Sequence, residues 1–101
     1  MKALILGTNA SQADIISYLK QKGWEVHACG YRQEGPGCDL ADEFHLADTL
    51  DVGAVKELTK DIKPDIIYSV SSDSAIKTVT KVAEALGLPH FLNSELIDLF
   101  D

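Results

Sequence analysis

The chain has 101 residues, enough for one domain with a single core and too few for two. A hydrophobic fraction of 46% with 25% charged residues is the composition of a folded globular protein and excludes a disordered or membrane-embedded chain. The formal net charge of −7 is spread along the sequence with no basic block to follow a phosphate backbone, which excludes nucleic acid as an expected partner.

The first residues, Lys2–Leu6 (KALIL), form a short apolar run without alternation, as in a strand covered on both faces. Apolar runs of about five residues are too short to span a bilayer. Lys2 is not followed by the apolar core and small-residue cleavage site of a signal peptide, so the expected location is cytoplasmic, with no membrane partner. From Ser11 the apolar residues Ile15, Ile16 and Leu19 follow a helical period. Lys20 and Lys22 suit the negative end of that helix, and Gly23 suits its left-handed cap. Trp24–Cys29 reads as a second strand. The stretch from Gly30 to Glu43 has three glycines, Pro36 and no helical period, and is expected to be a long loop.

Phe44–Ala47 is a short third strand. Asp51 can cap a helix that carries Val52, Val55, Leu58 and Ile62 on one face and runs to about Lys63, where Pro64 closes it. Asp65–Val70 is the clearest strand in the chain, and Ser71-Ser72-Asp73 supplies three cap residues in a row. A helix from about Ser74 to Leu86 ends at Gly87. A fifth strand is expected near His90 and Phe91, and Asn93 can cap a last helix, Ser94–Phe100. Strands alternating with helices predict an α/β, Rossmann-like doubly wound parallel sheet of about five strands in the order 3-2-1-4-5, helices on both faces. Ligands of such sheets sit at the carboxyl ends of the strands, where the winding reverses. Gly7–Gln12 and Ser71–Ser74 should therefore meet across one crevice.

Gly7, Thr8, Asn9, Ser11 and Gln12 offer backbone N–H groups and polar side chains at a helix N-terminus, where an anion is favoured. With Ser71, Ser72, Asp73 and Ser74 they are the candidate substrate-binding residues, for a small polar or anionic ligand; alternatively they only turn the chain and cap its helices. A dinucleotide site needs G-x-G-x-x-G and an acid after the second strand. Here the three positions are Gly7, Asn9 and Gln12, and Gly30-Tyr31-Arg32 stands where the acid would be. No G-K-[ST] occurs, which excludes a P-loop. Cys29 and Cys38 lack CxxC spacing; a buried strand thiol and a loop thiol are expected, and a disulfide between them is allowed but not required. His27, His45 and His90 fall in separate elements, so the sequence shows no metal-ligand spacing, and no catalytic triad or elbow is present.

The ordered segments ILGTNASQADIISYLKQKGWEVHACGY, GPGCDLADEFHLADTLD, PDIIYSVSSDSA and VAEALGLPHFLNS resemble the N-terminal (pre-ATP-grasp) domain of ATP-grasp enzymes, carbamoyl-phosphate-synthase large-subunit-like in particular. The most specific part is Pro36-Gly37 followed by Leu40-Ala41-Asp42-Glu43; Ser72-Asp73-Ser74-Ala75 and Gly87-Leu88-Pro89 leading to Asn93 add to it. Asn9 stands where the family usually has a second glycine, and Gly30-Tyr31-Arg32 where it often has an acid.

The resemblance implies a domain that is inert alone and forms the substrate side of an ATP-dependent carboxylate–amine ligase or carboxylase working through an acylphosphate. It implies a downstream ATP-grasp domain as partner, with ATP and Mg2+ held there and no cofactor in this domain. It places the acceptor substrate against Gly7–Gln12 and Ser71–Ser74, and related enzymes are often homodimers. The alternatives are a stand-alone Rossmann-type module for a nucleotide or small anion, and a fragment of an NAD(P)-dependent epimerase or dehydrogenase.

Overall fold

A computed structural model describes residues 1–69 and 73–89, so Val70, Ser71 and Ser72 lie outside the described residues. So do the strand expected near His90 and Phe91 and the helix expected over Ser94–Phe100. Four strands, β1 (Lys2–Leu6), β2 (Glu25–Gly30), β3 (Glu43–Leu46) and β4 (Ile66–Tyr68), form one parallel sheet in the order β3-β2-β1-β4. The described part of the predicted order is therefore found. The helices are α1 (Ala10–Gln21), α2 (Pro36–Leu40), α3 (Val52–Ile62) and α4 (Asp73–Leu86).

Because strand side chains alternate, β1 sends Ala3 and Ile5 to one face and Leu4 and Leu6 to the other. The first pair packs with Val26 and Ala28 against Ile15, Ile16 and Leu19 of α1. The second packs with Cys29 and Ile67 against Val55 and Ile62 of α3 and Val79, Val82 and Ala83 of α4. Both faces are thus covered, which is why KALIL reads as an unbroken apolar run.

Both predicted glycine caps are present: Gly23 and Gly87 have φ of +85° and +69°. Beyond them Trp24 N–H donates to Leu19 O and Leu88 N–H to Ala83 O, returning each helix end to the core. Asp51 caps α3 as expected, accepting the Ala54 N–H at 3.1 Å. The strand edges differ slightly from those expected. Trp24 packs into the core before β2 begins, and Asp65 precedes β4, its carboxylate accepting the Lys2 N–H at 2.8 Å.

The stretch expected to be an unbroken loop is not one, because Pro36–Leu40 forms α2. Pro36 at the first helical position starts a turn too short to leave a periodic signal. After it, Asp42 clasps β2: its carboxylate accepts the Val26 N–H at 2.8 Å and Lys20 Nζ at 2.9 Å, and its own N–H donates to Val26 O. The Val26 N–H first, and Lys20 second, hold the Asp42 carboxyl below the usual aspartate range. A folded value below the unfolded one gives stability that is present above about pH 4 and lost as pH falls through the folded value. Urea midpoints are expected to drop between about pH 5 and about pH 3 more steeply for the wild type than for Asp42→Asn. Parallel pH profiles would show that the clasp contributes nothing.

Candidate ligand cleft

The carboxyl ends of β1 and β2 open into a cleft of about 370 Å³. Leu6, Gly7, Thr8, Asn9 and Gln12 form one wall, Gly30, Tyr31, Arg32, Glu34 and Gly35 the other, and Thr49 and Ala75 complete it. At Gly7 the chain turns with φ +106°, and its N–H donates to Cys29 O at 2.8 Å, tying the first turn to the end of β2.

Thr8 is clasped by the segment that follows β2. Its Oγ1 donates to Glu34 O at 2.6 Å, and its carbonyl accepts the Gly37 N–H at 2.9 Å. The approach is close because Gly35 and Gly37 lack side chains: a Cβ on Gly37 would stand 3.0 Å from Thr8 Cα and 3.1 Å from Ile16 Cδ1. Asn9 is the N-cap of α1, its Oδ1 accepting the Ser11 and Gln12 N–H groups at 3.0 and 3.2 Å.

Gln12, in the position of the third dinucleotide-loop glycine, is 1% exposed. Its side chain folds over Gly7, with Cδ 3.0 Å from where a Cβ on Gly7 would stand. Its Nε2 reaches Ser69 Oγ at 3.5 Å, and that hydroxyl donates to Leu6 O at 2.7 Å, so β1, α1 and the end of β4 are joined beneath the cleft. Gln12 thus puts a bulky side chain where a dinucleotide-binding loop keeps a glycine for close packing of helix against strand.

Of the predicted site residues, Gly7, Thr8, Asn9 and Gln12 are brought together on the cleft wall. Ser11 and Ser74 are not among the lining residues, and Asp73 opens α4. From the far side, among the described residues, Ala75 reaches the cleft. The second wall, Tyr31 to Gly35, is absent from the candidate substrate-binding residues; its signals in the sequence are the unusual length of the connection after β2 and Arg32, a cation that could accept a phosphate. Arg32 presents a cation there, 5.2 Å from the Tyr31 ring. Both described cysteines are free, and burial pushes the Cys29 thiol up to about 12, which leaves it protonated and unreactive.

Sequence spacing also hid one juxtaposition. The parallel register sets His27 opposite Glu43 and Cys29 opposite His45, which brings His27 Nδ1 within 2.9 Å of His45 Nε2. The expectation that no histidine pair stands at ligand distance is corrected, because contact across paired strands depends on register and not on separation in the chain.

The chain folds as a doubly wound parallel α/β domain with a cleft over the carboxyl ends of β1 and β2. No family model matches the chain. In sequence it is 33% identical over 79 residues to the formate-dependent phosphoribosylglycinamide formyltransferase of Methanococcus maripaludis, an alignment covering 78% of this chain and 20% of that protein. It is 30% identical over 95 residues to methionine adenosyltransferase 2 subunit beta of Xenopus tropicalis, covering 93% of this chain and 27% of that one.

Among solved structures, phosphoribosylglycinamide synthetase from Anaerococcus prevotii superposes with a TM-score of 0.78 at 24% identity, over 87% of this chain and 23% of that one. L-threonine dehydrogenase from Clostridium difficile superposes with a TM-score of 0.73 at 20% identity, over 89% and 35%. These superpositions establish the fold. The chain spans about a fifth of the length of the formyltransferases it matches. Likeness to those enzymes supports the ATP-grasp superfamily and does not single out its carbamoyl-phosphate-synthase-like branch. No helix among the described residues is long and apolar enough to cross a membrane.

Proposed function

We propose that this chain is the substrate-side domain of an ATP-dependent ligase of the ATP-grasp superfamily, forming one wall of an active site completed by a downstream ATP-grasp domain. ATP, Mg2+ and acylphosphate formation belong to that second domain, and this one is inert alone. The observation that carries the proposal is the pairing of sequence likeness to phosphoribosylglycinamide formyltransferases with a first turn whose third glycine position is filled by Gln12. A carbamoyl-phosphate-synthase-like parent is the finer assignment suggested by the motif order. The relatives by name favour a phosphoribosylated amine as acceptor.

The cleft suits such an acceptor. The start of α1 offers the positive end of a helix dipole, and Arg32 offers a guanidinium for a phosphate. Glu34 and Thr49, also in the cleft lining, supply oxygen acceptors for hydroxyl or amine groups. A second proposal, a dinucleotide-binding domain, draws on the superposition with L-threonine dehydrogenase; the bulk of Gln12 over Gly7 weighs against it.

The deciding assay is ADP release by the protein translated from the whole reading frame. Phosphoribosylglycinamide with formate is expected to raise ADP release at least about tenfold over ATP alone, while the 101-residue chain by itself releases none. ATP turnover by the isolated chain, or turnover indifferent to any amine acceptor, would contradict the proposal.

A further inference from the structure

On the half of the sheet formed by β2 and β3, four polar side chains share one face: Glu25 and His27 from β2, Glu43 and His45 from β3. None of them lines the cleft. His27 is almost wholly buried, with 8% of its side chain exposed, while His45 at 24% and Glu43 at 63% lead outward to solvent.

His27 Nε2 lies 2.6 Å from Glu25 Oε2. A carboxylate can only accept, so Nε2 carries a proton, and in the neutral form of the ring Nδ1 turns its lone pair the other way. That lone pair faces His45 Nε2 at 2.9 Å and Glu43 Oε2 at 3.4 Å, and His45 Nε2 stands 3.5 Å from the same Glu43 oxygen. Three electron-pair donors therefore converge, with one proton, on His45 Nε2, to share among them. The two longer separations exceed an ordinary hydrogen bond of about 2.7–3.2 Å. They match the corners of a tetrahedron with bonds of about 2.0–2.1 Å, which stand about 3.3–3.4 Å apart.

We propose that His27 Nδ1, His45 Nε2 and Glu43 Oε2 form a three-ligand site for a borderline divalent cation of the zinc class, with water at the fourth corner. Loading it requires the two imidazole nitrogens to part by a few tenths of an ångström and the His45 proton to move to Nδ1, with no net loss of protons. Glu25 then holds the far side of the His27 ring, as an outer carboxylate does for a metal-bound histidine. Two imidazoles favour Zn2+, Co2+ or Ni2+ over Mg2+ or Ca2+, which prefer oxygen. A bound ion would pin the edge strand β3 to β2.

The test is calorimetric titration of the metal-free chain with Zn2+, alongside ring-nitrogen NMR of its three histidines. One equivalent is expected to bind, shifting the ring signals of His27 and His45 and leaving those of His90. Glu25→Gln is expected to weaken binding about 10–100-fold, and His45→Gln and Glu43→Gln further; His90→Gln should bind as the wild type does. Absence of binding, undiminished binding by His45→Gln, dependence on His90, or equal binding of Mg2+ would each overturn the proposal. If His45→Gln does not fold, the wild-type ring signals decide alone, since a surface ion would not select two of the three histidines.

Discussion

Replacing Gly35 with alanine is expected to destabilise the fold by roughly 3 kcal/mol and to remove one wall of the cleft. Gly35 has φ +95° and ψ +159°, a region open in practice to glycine alone. An added Cβ would stand 2.4 Å from Thr8 O, 3.1 Å from Thr8 C and 3.2 Å from Thr8 Oγ1. The first two are backbone atoms that cannot swing aside.

Relief of that clash requires the segment to lift from the first turn. Lifting it would break the Thr8 Oγ1 to Glu34 O bond and the Gly37 N–H to Thr8 O bond, both of which shape the cleft. For a domain of this size the loss corresponds to a fall in melting temperature of at least about 10 °C. Gly53→Ala provides the contrast. Gly53 lies within α3 with ordinary space around it, a Cβ there standing 3.5 Å from Asp51 Oδ1, so alanine should be neutral or mildly stabilising. Thermal unfolding followed by circular dichroism would separate the two variants. Equal melting temperatures would mean that the close approach of Gly35 to Thr8 carries no weight.

The winding of the sheet was legible because each signal behind it is local. KALIL, the cap at Asp51 and the glycines at 23 and 87 act within one or two turns of chain, and the right-handed crossover rule orders the strands. What was hidden depends on contacts between distant segments. Thr8 reads as a generic cap residue, and only the folded chain shows it held by Glu34 and Gly37. Gln12 reads as a glycine missing from a fingerprint; in the structure it is the filler above Gly7 and a strut to Ser69. Asn9 has its side-chain oxygen engaged as the cap of α1. The pairing of His27 with His45 follows from a strand register that nothing in either segment announces.

The second large effect expected is a switch in ligand preference: the chain should ignore NAD+ and respond to a small phosphorylated amine. A dinucleotide needs close backbone approach at the second glycine position, close helix–strand packing at the third, and an acid after β2. Asn9 and Gln12 fill the former, and Gly30-Tyr31-Arg32 replaces the latter with a cation. NAD+ should therefore bind more weakly than about 1 mM, equivalent to less than about 4 kcal/mol. Phosphoribosylglycinamide, the acceptor proposed above, would ask only for the helix N-terminus, the Arg32 guanidinium and the polar groups at the rim.

The most direct measurement is a titration of the isotope-labelled chain with each compound, following the backbone amides of Gly7, Thr8, Gly30, Tyr31, Arg32 and Gly35. Phosphoribosylglycinamide is expected to move these amides progressively while NAD+ leaves them in place. Saturation of the same amides by NAD+, with no response to the phosphorylated amine, would contradict the assignment of this cleft to the substrate side of a ligase.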